Sequence, residues 1–167
     1  MDIKADRLLR TLRLRHLELL VVLHDTPTMR GAAAQLHLSQ PAISKMLGEV
    51  ERCFGARLFE RSHQGIAANA LGAAAAFRAR AVLNELAHAT ADVDAMQRGV
   101  NAVLRVGAPS VTATIPAAIV ALRARMPGTT VQLKEGRVHE LIHLLLERKL
   151  DCVFGAITPE LMASDLM

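Results

Sequence analysis

The sequence has no tryptophan and no tyrosine, and its aromatic content of 2% rests on four phenylalanines. Any core must therefore be built from Ala, Leu, Val, Ile and Met. Cysteine is equally scarce. Cys53 and Cys152 are far apart and show no metal-ligand spacing, the pattern of small buried hydrophobes in a reducing cytoplasm. No apolar run reaches the roughly 18 residues a membrane span needs, and the opening MDIKADRLLR is too charged for a signal peptide. These absences exclude a membrane partner and predict a cytoplasmic protein.

What is present is apolar and mildly basic. Apolar residues make up 51% of 167 positions, enough for one ordinary domain or two small ones. The net charge of +4 is unevenly spread. Residues 1–66 hold ten Lys/Arg against seven Asp/Glu, residues 67–100 three of each, and residues 101–167 seven against six. The positive excess thus lies in the first 66 residues, where a polyanionic partner is expected.

Within that region the stretch from Thr28 to Arg61 organises the chain. Gly31 and Ala32–Ala34 permit close helix approach, and Leu36 and Leu38 bracket a bend. Thr28 and Ser39 are N-cap residues, and Pro41 stands in a first turn where its missing N–H costs nothing. Ile43, Leu47, Val50 and Phe54 recur at spacings of four, three and four, one buried face of a helix. Gln40, Ser44, Lys45 and Arg52 occupy the opposite face, an amide-and-cation front suited to the major groove of double-stranded DNA. Before it, residues 1–13 are charged and expected to be loosely ordered. A helix follows, with Leu14, Leu17, Leu20 and Val21 inward, ending at Asp25-Thr26-Pro27. After Phe54-Gly55, a C-cap, Leu58-Phe59 and Ile66-Ala67 predict two very short strands. These form a wing carrying Arg61, His63 and Gln64, with Arg61 on phosphate.

Leu17, Ala32-Ala33, Leu36, Leu38 to Ala42, Ser44-Lys45, Glu51, Gly55 and Leu58 to Arg61 together resemble the N-terminal signature of LysR-type transcriptional regulators, in one register over some 55 residues. Leu20 replaces a usual Phe, Gln64 a frequent wing arginine, and Ala68-Asn69 a Leu-Thr pair. Asn69 can still cap the next helix. The resemblance implies base or phosphate contacts for Gln40, Ser44 and Lys45, and phosphate contacts for Arg30 and the wing.

From Ala70 to about Gly99, Ala75, Ala79, Val82, Leu86, Ala89, Val93 and Met96 form a heptad seam. A helix packed on its own domain is the alternative. In the resembled family this is the linker helix that pairs two protomers, so Val82, Leu86, Val93 and Met96 are dimerisation candidates. Beyond it, VLRVGA (103–108), TTVQLKE (129–135) and DCVFGAI (151–157) read as strands. Helices lie between them, one with Ile115, Ile119 and Leu122 inward and one over 138–150. Strand and helix alternation implies a parallel α/β unit. By resemblance it is part of a periplasmic-binding-protein-like effector lobe. A small-molecule effector, often a carboxylate, is then expected near Ser110, Thr112 and Thr114.

The expected fold is thus a winged helix-turn-helix over 12–69, a long linker helix over 70–99, and a partial α/β lobe over 101–167. Family members are typically near twice this length, which reads as a fragment or truncated product with effector control impaired. The function expected is dimeric binding to an inverted-repeat operator, with RNA polymerase as a partner, at the nucleoid in the cytoplasm. No catalysis, metal or cofactor is called for.

A competing motif is His139-Glu140-Leu141-Ile142-His143, which matches the H-E-x-x-H helix of zinc peptidases. No third ligand follows at the extended-motif offset, and Glu160, a distal carboxylate, lies in a tail seven residues from the end of the sequence. Leu141, Leu144 and Leu145 supply the helix's buried face, leaving both histidines outward. A zinc peptidase and a dimerisation-only fragment stand as the rival readings.

Overall fold

The computed structural model describes residues 8, 10–26, 28–62, 65–110 and 114–155. They divide into two compact units, residues 1–83 and 84–167. The first is a winged helix-turn-helix. The second is part of an α/β lobe.

In the first unit, helix α1 (Leu14–Asp25) precedes α2 (Met29–Gln35) and α3 (Gln40–Phe54), and strands β1 (Phe59–Ser62) and β2 (Gly65–Ala68) form the wing. The strands pair antiparallel from Phe59 opposite Ala68 to Ser62 opposite Gly65. Leu19, Leu20, Leu23, Ile43, Leu47, Val50, Leu58, Phe59 and Ile66 make one core with Ala32, Ala33, Ala76 and Ala79. Apart from Phe59 it is aliphatic, which is what a chain without Trp or Tyr can supply.

Four expectations here are corrected. The fully buried residues of α1 are His16, Leu19, Leu20 and Leu23; Leu17 and Val21 are half-buried and pack against that core, as expected, whereas Leu14 is 49% exposed. The register was obscured because a histidine occupies one core position. Its Nδ1 accepts the Arg13 backbone N–H at 3.2 Å, and its Nε2 lies 3.6 Å from Glu49 Oε2. Phe54 ends the apolar row of α3 but is exposed, because Gly55 turns the chain left-handed (φ +68°) beside it. In the N-terminal segment expected to be loose, Leu8, Arg10 and Thr11 are helical. Finally, Cys53 is half-buried and Cys152 is exposed, so neither is a core residue.

Helix α4 (Ala70–Gln97) begins on Asn69, whose Oδ1 accepts the Gly72 N–H at 2.9 Å while its Nδ2 donates to the Arg57 carbonyl. Gly72 has to be glycine, since a Cβ there would sit 2.0 Å from the Leu58 carbonyl oxygen.

In the second unit, β3 (Ala102–Ala108), β4 (Thr129–Glu135) and β5 (Cys152–Val153) make a parallel sheet ordered β4-β3-β5, joined through α5 (Thr114–Arg125) and α6 (Val138–Leu146). Ile115 is buried and Ile119 and Leu122 are half-buried against the sheet face of Leu104 and Val106. Helix α6 stops four residues short of expectation. Arg148 takes φ +61° and the Lys149 N–H donates back to the Leu144 carbonyl, which turns Leu150 into the lobe. The third strand is also shorter than the run 151–157, of which 156 and 157 lie outside the described residues. Leu133 is exposed on β4, an edge strand of this sheet.

Candidate nucleic-acid interface

The helix-turn-helix is built by two caps and one bend. Thr28 Oγ1 accepts the Gly31 N–H at 3.1 Å and starts α2, and Ser39 Oγ accepts the Ala42 N–H at 3.3 Å and starts α3. Between them His37 adopts φ +53°. The Leu38 N–H donates to the Ala33 carbonyl and the His37 N–H to the Ala34 carbonyl, a Schellman closure without the usual glycine.

Helix α3 then has two faces. Ile43, Leu47 and Val50 are buried, and Ser39, Gln40, Pro41 and Lys45 are exposed with Ser44 half-buried beside them. Arg52 is exposed farther along, its Nε donating to the Gly48 carbonyl at 3.1 Å. Thr28 and Arg30 are exposed at the start of α2, and Arg61 is exposed on the wing. His63 and Gln64, expected at the wing tip, lie outside the described residues. Glu51, a signature residue, has a role that its position in the sequence did not show. Glu51 Oε1 accepts the backbone N–H groups of Leu58 at 2.8 Å and Phe59 at 3.2 Å, bracing the wing against α3.

On α4, Ala79 is buried in the first unit's own core, while Val82, Leu86, Val93 and Met96 are about half exposed, at 49%, 47%, 55% and 59%. The seam therefore divides, its first turns serving the domain and the remainder left open. An apolar groove of about 640 Å³ runs beside its first half, lined by Leu17, Phe54, Leu58, Leu71, Ala75 and Val82.

A family model described as a bacterial regulatory helix-turn-helix protein of the lysR family matches residues 14–73, and one described as a LysR substrate binding domain matches residues 97–166. The chain belongs to the LysR family. Among its relatives, the HTH-type transcriptional regulator GbpR of Azospirillum brasilense is 37% identical over 108 residues, 63% of this chain and 32% of that protein. YdcI of Escherichia coli K12, an uncharacterised HTH-type transcriptional regulator, is 34% identical over 154 residues, 90% of this chain and 50% of that protein. The solved structure of full-length CbnR complexed with its target DNA superposes with a TM-score of 0.52 at 28% identity, covering 89% of this chain and 52% of that one. The chain thus spans from about a third to a half of the length of these relatives.

The LysR assignment absorbs the second unit as part of the substrate-binding domain. Ser110 is exposed just beyond the C-terminal end of β3, and Thr112 lies outside the described residues. The H-E-x-x-H motif finds no support. His139, Glu140 and His143 are exposed on α6, and Glu140 Oε2 accepts the Arg137 backbone N–H at 3.3 Å as a helix-start cap. Among the described residues no group of three or more His, Cys, Asp or Glu side chains could hold a metal ion. Glu160 lies outside them. No helix among them is long and apolar enough to cross a membrane.

Proposed function

We propose that this protein is a transcriptional regulator that binds operator DNA as a dimer through α3, with a reading unit over 12–69, a pairing helix over 70–99 and an effector lobe from 101 onward. The observation that carries this is the division of α3. Ile43, Leu47 and Val50 fix its back, so Gln40, Pro41, Ser44 and Lys45 form a polar front held by a rigid unit. Gln40 suits adenine, Lys45 guanine or phosphate, and Ser44 either a base edge or phosphate. Thr28, Ser39, Arg30 and Arg61 flank that front, and His63 and Gln64 follow Arg61 in sequence after Ser62. These groups suit phosphate contacts that set register. The hydroxyls of Thr28 and Ser39 already accept cap bonds, so towards DNA they act as donors.

The exposed Val82, Leu86, Val93 and Met96 support pairing of two copies along α4. Two reading helices would then meet half-sites about one helical turn apart in an inverted-repeat operator. A carboxylate effector near Ser110 and Thr112, contact with RNA polymerase, and a place at the nucleoid in the cytoplasm complete this reading, which assigns no catalytic step, metal or cofactor. In a mobility-shift assay at fixed salt, Ser44→Ala with Lys45→Ala should weaken operator binding more than random-DNA binding. Unchanged affinity and unchanged specificity would sink the assignment of α3.

A further inference from the structure

Arg105 plays no part in DNA reading or in the seam, yet it is only 8% exposed. It stands in β3, a strand otherwise made of Ala, Val, Leu and Gly. By the two-residue alternation of a strand it shares a face with Gly107, where a Cβ would press on Leu141 of α6 and on Leu150. On that face the guanidinium meets two carboxylates from different elements. Its Nη2 donates to Asp92 Oδ1 of α4 at 2.8 Å, and its Nη1 lies 3.9 Å from Asp151 Oδ2. The same Asp151 oxygen accepts the Arg105 backbone N–H at 2.6 Å, and the Asp151 N–H donates to the Arg105 carbonyl at 2.8 Å. Two further polar links join α4 to the end of α6. Asn84 Nδ2 donates to the Glu147 carbonyl at 2.7 Å, and the Arg148 Nε lies 3.8 Å from Glu85 Oε1.

These links are unequal. The Glu85–Arg148 pair is exposed on both sides and contributes little. Arg105 is different, because burying a guanidinium carries a desolvation penalty that an apolar side chain of similar length avoids. Mere packing of β3 would be served better by Leu or Met. Arginine's advantage is its planar fork, which can hold two acceptors from separate elements in one fixed register.

We propose that Arg105 is a positioning residue that clasps the second half of α4 to the parallel sheet, so that this half of the helix and the lobe behave as one body. The clasped segment carries Leu86, Val93 and Met96, and β3 itself runs on towards Ser110. Strand β3 is thereby a rigid rod with the effector candidates at one end and the seam's anchor on its side. A shift in the lobe reaches the seam without crossing a loose joint. The consequence for pairing rests on the dimer reading above, whereas the clasp stands on its own geometry.

Amide hydrogen exchange on the full 167-residue chain tests this. In Asp92→Asn, a near-isosteric change at a half-exposed side chain, amides of residues 86–97 should exchange about tenfold faster, the loss of one charge-assisted hydrogen bond. Amides of β3 should keep their protection, and Glu85→Gln should leave both segments unchanged. Unchanged exchange of 86–97 in Asp92→Asn, or an equal acceleration in β3, would overturn the clasp. A second arm places a cysteine at Val93 in a Cys53→Ser, Cys152→Ser background. Oxidative cross-linking between copies should slow several-fold when Asp92→Asn is added. No cross-link even with Asp92 intact counts against the dimer reading, and the exchange result then decides the clasp alone.

Discussion

Glu51 and Leu58 are joined by a 2.8 Å bond from the Leu58 backbone N–H to Glu51 Oε1, and the same oxygen takes the Phe59 N–H at 3.2 Å. One carboxylate on the last turn of the reading helix therefore satisfies two donors at the entrance to the wing. Leu58 and Phe59 are both buried, so these donors have no ready substitute in water. Glu51→Ala should lower unfolding stability by about 2 kcal/mol, the cost of stranding donors that had an ionised partner. Denaturant melts measure it, and a loss within experimental error would show that the wing holds itself.

Two glycines should respond in opposite directions. Gly48 lies inside α3 with no atom within 4 Å of an added Cβ, so Gly48→Ala should stabilise by roughly 0.5–1 kcal/mol through helix propensity alone. Gly72→Ala drives a Cβ onto the Leu58 carbonyl and should destabilise by about 3 kcal/mol. Thermal unfolding of the two variants side by side checks both signs.

His37 and Arg148 are the non-glycine residues with positive φ among those described, at +53° and +61°, and each closes a helix. An L side chain pays for that conformation where glycine does not. His37→Gly should therefore raise stability by about 0.5–1 kcal/mol, and His37→Val should lower it. Equal melting temperatures for the three proteins would contradict the strain.

Arg61, on β1 of the wing, is assigned to the DNA backbone rather than to base edges. Arg61→Ala should weaken operator and random duplexes alike and reduce the log–log salt slope by about one. A loss confined to the operator would make Arg61 a sequence reader.

Cys152 is exposed as a residue, but partial desolvation pushes its thiol above its ordinary range, and the neighbouring Asp151 carboxylate raises it further. A raised value means less thiolate at a given pH, so alkylation in a Cys53→Ser background should have its midpoint above that of the unfolded chain. Stability contributed by this site is complete below the unfolded thiol's value and is lost as pH rises through the folded one. A midpoint equal to the unfolded chain's would refute this.

Much of the first unit was legible because its signals are local. Ser39 as a cap, Pro41 in a first turn, Gly55 as a stop and the spacing of Ile43, Leu47 and Val50 each constrain only a few neighbours. Asn69 was legible for the same reason, as a capping side chain ahead of an uninterrupted helical run. The core face of α1 was legible only in part, because His16 carries a polar label while its ring is buried with its Nε2 towards Glu49. The early end of α6 escaped because an arginine, and no glycine, takes the left-handed turn. Glu51 and Arg105 were visible as residues but not as braces. Their partners lie seven and eight residues away in one case and 13 and 46 in the other, distances at which pattern alone says nothing. The sites expected at His63, Gln64 and Thr112 fall outside the described residues.

The order in which the two units occur along the chain also has a consequence during synthesis. The helices and hairpin of the first unit depend on near neighbours, and among the described residues its buried core ends at Ala79. The parallel sheet must instead wait for β5, since Asp151 closes onto Arg105 across 46 residues. On a ribosome the helix-turn-helix unit can thus be complete while the central strand of the lobe still lacks one edge. On the function proposed above, the nascent chain would then meet nucleic acid before the lobe's sheet is closed.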